Sequence, residues 1–181
     1  MVNANKNKGD RGEREARDFL REHAADLIDH FAKTGYSIAD LDRKLGAGRA
    51  MDTGDIFGFG FDAEAVTIQV KAYGRKYLPR AISESALGAR QQAQNAHAPL
   101  NFAVGLSIVE RARLDSVRWL ASTVEWPVED EVFVAKTIPA AISHVLSTRD
   151  LAFVRGIYVA PAHRWFDAMR RYVGLDAGMV S

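Results

Sequence analysis

The chain has 181 residues, 48% of them hydrophobic and 26% charged, which is the size and make-up of one globular domain able to bury a core. It contains no cysteine, which excludes disulfides, thiolate zinc sites and cysteine nucleophiles. The formal net charge is only +1, so bulk charge does not point to nucleic acid, and no apolar run approaches the roughly 18 residues that span a bilayer.

Met1 to Lys8 reads as a flexible basic arm and residues 9–181 as a single domain. The polar stretch Met1 to Asp10 lacks the apolar core of a signal peptide, which gives the expectation of an intracellular, cytoplasmic protein. A long helix is predicted from about Gly9 to Phe31, because Ala16, Leu20, Ala24, Leu27, Ile28 and Phe31 recur at helical spacing. Tyr36 to Leu41 suits a short strand. Gly46, Gly48 and Gly54 then mark a loop carrying Arg43, Lys44 and Arg49. A hairpin follows, with Asp55 to Phe59 as one strand, Gly60 to Glu64 as the turn and Ala65 to Ala72 as the return strand. On the return strand Val66, Ile68 and Val70 alternate with Thr67, Gln69 and Lys71. A basic loop, Tyr73 to Arg80, leads to a helix near Ser83 to His97, which Pro99 ends. Strands are predicted at about Phe102 to Val109, Val117 to Ser122 and Val132 to Lys136, and helices near Pro139 to Leu146 and His163 to Val173. Leu151 to Val159 suits an edge strand. This order predicts a mixed α/β domain with helices against a sheet.

Glu13 lies in the middle of the apolar stripe of the first helix, one turn before Ala16. A carboxylate on that side is costly unless a metal or a basic partner compensates it. Alone, it reads rather as a first-turn acid that favours the helix dipole and stays in water. Asp55 alone reads as a turn aspartate, but the hairpin register sets it opposite Gln69, Val70 or Lys71, with Gln69 and Lys71 on one face. An aspartate, an amide and a lysine together suit phosphodiester hydrolysis. A hard cation polarises the phosphate and acidifies a water, and Mg²⁺ takes oxygen donors such as Asp55, the Gln69 side-chain oxygen, the Val70 carbonyl and Glu13. Lys71 suits placing the attacking water or stabilising charge on the phosphate. From Ala65 to Ser83 there is no acid, while Lys71, Arg75, Lys76 and Arg80 are all present, interleaved with Tyr73 and Tyr77. That mix suits backbone contact and stacking. Gln91, Gln92 and Gln94 on the next helix read as a polar helix face, with Gln91 or Gln92 able to reach the site or a phosphate as the other reading. Asp52 reads as a loop residue near the cluster, His23 and His30 as structural or exposed, and Trp119, Trp126 and Trp165 as core or interface.

Gly54-Asp55-Ile56, followed fourteen residues on by Gln69-Val70-Lys71, resembles the signature of the PD-(D/E)xK nuclease superfamily. The run Lys8-Gly9-Asp10-Arg11-Gly12-Glu13-Arg14-Glu15 is similar to the start of the first helix in Holliday-junction resolvase-like members. The likeness covers roughly residues 8 to 95. It departs from the pattern in having Gly54 before the aspartate and Gln69 where an acid is usual, which takes one negative charge from the metal site. The resemblance implies a restriction-endonuclease-like αβββαβ core with a mixed central sheet flanked by helices. It implies a DNA endonuclease of branched DNA, dependent on Mg²⁺ with Mn²⁺ able to substitute, working as a homodimer. The catalytic set would be Glu13, Asp55, Gln69 and Lys71, and the DNA contacts Lys8, Arg11, Arg43, Lys44, Arg49, Tyr73, Arg75, Lys76, Arg80 and Gln91. Two other readings stand beside it: another restriction, repair or recombination nuclease of the superfamily, and a non-catalytic nucleic-acid-binding or assembly protein of the same fold.

Overall fold

The computed structural model describes residues 4–31, 42–43, 56–57, 66–95, 99–110 and 118–175. Helix α1 spans Ala4–His23 and α2 Ala25–Phe31. The predicted single helix is thus divided at Ala24, yet Ala24 N–H still donates to the Leu20 carbonyl and Ile28 N–H to the Ala24 carbonyl, so the two run on with little interruption. α1 starts within the segment expected as an arm. No proline intervenes before Phe31, and the glycine at position 12 is there to allow a close approach, since an added Cβ would collide with the Ala72 side chain.

Strand β1 (Asp42–Arg43) pairs antiparallel with β2 (Ile56–Phe57), and β2 antiparallel with β3 (Thr67–Lys71). Ile56 stands opposite Ile68, which by extension sets position 55 opposite Gln69, one of the three partners the hairpin register predicts for it. The expected strand at Tyr36 to Leu41, the glycine loop and the turn at Gly60 to Glu64 lie outside the described residues. After β3 a short 3₁₀ turn, Arg75–Tyr77, leads into α3 (Leu78–Asn95). α3 begins earlier than predicted because Pro79 falls in the first turn, where its missing N–H has no helical partner to lose. α3 returns the chain to β4 (Ala103–Ile108), which lies parallel to β3.

β5 (Trp119–Thr123), β6 (Phe133–Val134), α4 (Ile138–Thr148), β7 (Ala152–Val154), β8 (Ile157–Pro161) and α5 (Ala162–Val173) complete the described chain. The sheet order is β1-β2-β3-β4-β5-β8-β7-β6, with both parallel and antiparallel neighbours. The segment read as one edge strand is a hairpin, β7–β8, and β8 sits inside the sheet. Its turn is made by Arg155 and Gly156, both at positive φ (51° and 79°), which is the backbone of a tight hairpin turn. An Arg-Gly pair is a weak turn signal in sequence, and so the break was not legible. α4 is capped by the Thr137 side chain, which accepts from Ala140 N–H at 3.3 Å.

Helices cover both faces of the sheet. On one side Val66, Ile68, Val70, Val104, Leu106 and Trp119 pack with Leu20, Leu27, Ile28 of α1 and α2 and with Trp165, Phe166 and Met169 of α5. On the other, Ile82 and Ala86 of α3 and Ile142 and Val145 of α4 pack on Leu120, Val154 and Val159. α3 is seated closely: an added Cβ at Gly105 of β4 would lie 2.5 Å from Ser85 backbone and side-chain atoms. The Ser85 hydroxyl meets those of Ser107 (3.2 Å) and Ser122 (2.9 Å), so the polar atoms of this contact satisfy one another. No described helix is long and apolar enough to cross a membrane.

Candidate functional site

β3 divides the predicted residues by the alternation of its side chains. Val66, Ile68 and Val70 enter the core beneath α1 and α5. Gln69 and Lys71 face α3. Gln69 is 8% exposed, and its side-chain oxygen accepts from Gln92 Nε2 at 2.5 Å. Gly88 lies over the same side chain, so near that an added Cβ would stand 3.2 Å from Gln69 Cγ. Glu84, Gly88 and Gln92 recur every four residues and therefore form one stripe of α3. That stripe runs along the polar face of β3, with Gln92 and Gly88 at Gln69 and Glu84 near Lys71.

Glu84 gathers the basic stretch. Its Oε2 accepts from the Tyr73 hydroxyl at 2.5 Å and its Oε1 from Arg80 Nε at 2.6 Å. These bonds, the Tyr73 hydroxyl foremost, hold the Glu84 carboxyl below the ordinary carboxylate range, with the charges of Arg80 and Lys71 adding to the effect. The reciprocal effect pushes the Tyr73 phenol above its usual value, chiefly through the same hydrogen bond to Glu84. The Arg80 guanidinium is likewise raised by its bond to Glu84. Sequence reasoning missed Glu84. Its signal was the four-residue spacing to Gly88 and Gln92, which becomes meaningful only once α3 is known to face Gln69 and Lys71.

Glu13 is half-buried on α1, next to the Gly12 that closely approaches Ala72. Ala72 follows Lys71, so the Gly12 turn of α1 packs against the C-terminal end of β3. Arg11 is exposed and bonds Glu15 at 2.8 Å, and Glu15 also reaches Arg118 at 3.3 Å. Arg75 and Lys76 stand exposed on the 3₁₀ turn, where the Arg75 backbone N–H reaches Glu110 at 3.3 Å and Lys76 Nζ lies 5.7 Å from the centre of the Tyr77 ring. Of the two glutamines weighed on α3, Gln92 is the one that turns inward, whereas Gln91 is exposed and donates to Asn95 at 3.2 Å. Lys8 belongs to α1 and Arg43 to β1. Asp52, Asp55, Lys44 and Arg49 lie outside the described residues. His23 sits in a ring cluster with Phe19 and His163, and Trp119 and Trp165 are buried, as structural residues would be. Among the described residues no group of three or more metal-ligating His, Asp or Glu side chains converges.

The donors expected for a cation, namely the Glu13 carboxylate, the Gln69 amide oxygen and the Val70 carbonyl, are all oxygens, which fits a hard divalent ion. The Gln69 side-chain oxygen is engaged by Gln92, whose Nε2 donates to it. The chain matches no family model, no curated protein and no solved structure.

Proposed function

We propose that this protein is a Mg²⁺-dependent DNA nuclease of the PD-(D/E)xK type, acting on branched DNA such as four-way junctions. The observation that carries the reading is the convergence at the C-terminal end of β3. There Gln69 and Lys71 alternate onto one face, the turn of α1 that carries Gly12 packs against Ala72 just past Lys71, and Glu84 gathers Tyr73 and Arg80 close by; the reading adds Glu13, next to Gly12, to this end of the strand. The element order around that end, helix, three antiparallel strands, crossover helix and a parallel strand, supports the αβββαβ core that the resemblance implies.

In this reading Asp55, which directly precedes Ile56 in sequence, would hold the cation together with Glu13, the Gln69 oxygen and the Val70 carbonyl. Bound Mg²⁺ would supply charge neutralisation at the phosphate and an acidified water. The chain's own residues do the rest. Lys71 orients the attacking water or stabilises developing negative charge, and Arg75, Lys76 and Arg80 neutralise neighbouring phosphates. Buried apolar residues on the far side of β3 hold Gln69 and Lys71 in fixed positions. Two symmetric cuts across a junction call for two copies, so a homodimer belongs to the proposal.

The engaged Gln69 amide favours one alternative, a non-catalytic nucleic-acid-binding protein of the same fold. Incubating the protein with four-way junction, flap, linear duplex and single-stranded DNA in Mg²⁺ or Mn²⁺ decides between them. Paired nicking across the junction supports a resolvase, and digestion from ends supports an exonuclease. Binding without any cut in either metal leaves the binding protein.

A further inference from the structure

We infer that Glu84 is a positioning residue for DNA, a carboxylate that fixes Tyr73 and Arg80 beside Lys71 as one phosphate-gripping unit. The inference rests on the nucleic-acid reading above and extends it to a residue that the sequence did not single out. An acid on a phosphate-binding surface is unfavourable in itself, since it repels the ligand. Glu84 occupies such a place: 36% exposed, it directly follows the basic stretch and bonds two of its residues. Its two oxygens are divided between two different partners, Tyr73 at 2.5 Å and Arg80 at 2.6 Å.

The way Arg80 is held matters. Its side chain is 69% exposed and bonds Glu84 through Nε, so the terminal N–H donors of the fork are left on the outer end, where a phosphate can take them. Without Glu84 a long, exposed arginine side chain would have to be ordered by the DNA itself, at an entropic cost. The phenol of Tyr73 is likewise turned toward Glu84, which fixes its ring as a platform next to the backbone track. Glu84 sits on the same α3 stripe that clasps Gln69 through Gln92, so the unit is tied to a buried residue of β3. Position and purpose therefore agree: the carboxylate gives up some attraction for phosphate and gains a fixed geometry.

The sign of one substitution tests this. Measured by fluorescence anisotropy on a labelled four-way junction without divalent metal, Glu84→Ala removes a negative charge, and electrostatics alone predicts tighter binding. Positioning predicts the reverse. Binding should weaken about tenfold, and the slope of log K against log salt should shrink by about one as the Arg80 contact is lost. Arg80→Ala should weaken binding similarly, and the double variant Arg80→Ala/Glu84→Ala should lose little more than either. Glu84→Gln, which keeps one acceptor oxygen, should fall between. Circular-dichroism melts check that each variant is folded, and Tyr73→Phe with its own cycle against Glu84→Gln serves if Glu84→Ala is not. The inference is overturned if Glu84→Ala binds as tightly as wild type or tighter, if the losses add, or if wild type binds no DNA. Failure of wild type to cut bound junctions removes the nuclease reading and leaves this comparison intact. Cutting by wild type, with Glu84→Ala binding unchanged, removes this inference alone.

Discussion

Gly105→Ala tests how firmly α3 is seated. The added methyl carbon would stand 2.5 Å from the Ser85 carbonyl carbon, Cβ and Oγ, against the 3.5–4.0 Å of an ordinary carbon contact. The shortfall is about 1 Å, and because one of the three atoms is backbone, rotating a side chain cannot relieve it. α3 and β4 must move apart, which strains the Ser85–Ser107–Ser122 hydroxyl contacts as well. Overpacking of this kind costs about 1–3 kcal/mol, reduced by the roughly 0.5–1 kcal/mol that alanine gains over glycine inside a strand. At about 2–4 °C per kcal/mol for a chain of this size, the melting midpoint should fall by a few degrees. The functional effect should be larger. A displacement near 1 Å separates Glu84 and Gln92 from Lys71 and Gln69, and misplacement on that scale costs about 10²-fold in a reaction that depends on position. Thermal melts and junction-cleavage rates on the same preparation give both numbers. Adding Ser85→Gly removes two of the three close contacts and should recover part of the midpoint. A Gly105→Ala protein that melts at or above the wild-type temperature would refute the close seating of α3.

Gln92→Ala removes the donor to the buried Gln69 oxygen and should destabilise the protein by about 1–3 kcal/mol in urea unfolding, whereas Gln69→Leu/Gln92→Leu should recover much of that loss. Asp26 on α2 accepts from Arg170 of α5 at 2.7 and 2.9 Å, and that bond is the main cause of its lowered carboxyl pKa. A lowered folded-state pKa contributes stability that is present above the unfolded value of 3.8 and is lost as pH falls through the folded one. Asp26→Asn should therefore flatten the acid limb of stability below about pH 5, by an amount kept small by the exposure of the pair. An acid limb identical in the two proteins would show that the ion pair contributes nothing.

What the sequence made legible follows from how local each signal was. The return strand was readable because apolar Val66, Ile68 and Val70 enter one core while polar Thr67, Gln69 and Lys71 take the other face, so that polarity alternates although both faces are covered. α1 and α2 were readable because one buried stripe, Ala16 to Ile28, continues through the break at Ala24. The β7–β8 hairpin was hidden because both strands are largely buried in mid-sheet, and a buried run looks the same with or without a turn inside it. The site was half legible. Gln69 and Lys71 could be paired by alternation along a single strand, but Glu84 and Gln92 join them only through the crossover that lays α3 on β3, a contact that no local spacing encodes.

The central claim is that Lys71 and Asp55 perform phosphodiester hydrolysis at the end of β3. The most direct measurement compares wild type, Lys71→Ala and Asp55→Ala for junction binding without metal and for cleavage with Mg²⁺. All three should bind with affinities within a few-fold of one another, and only wild type should cut at full rate, the variants being slower by at least about 10³-fold. Cleavage at the wild-type rate by either variant would contradict the claim.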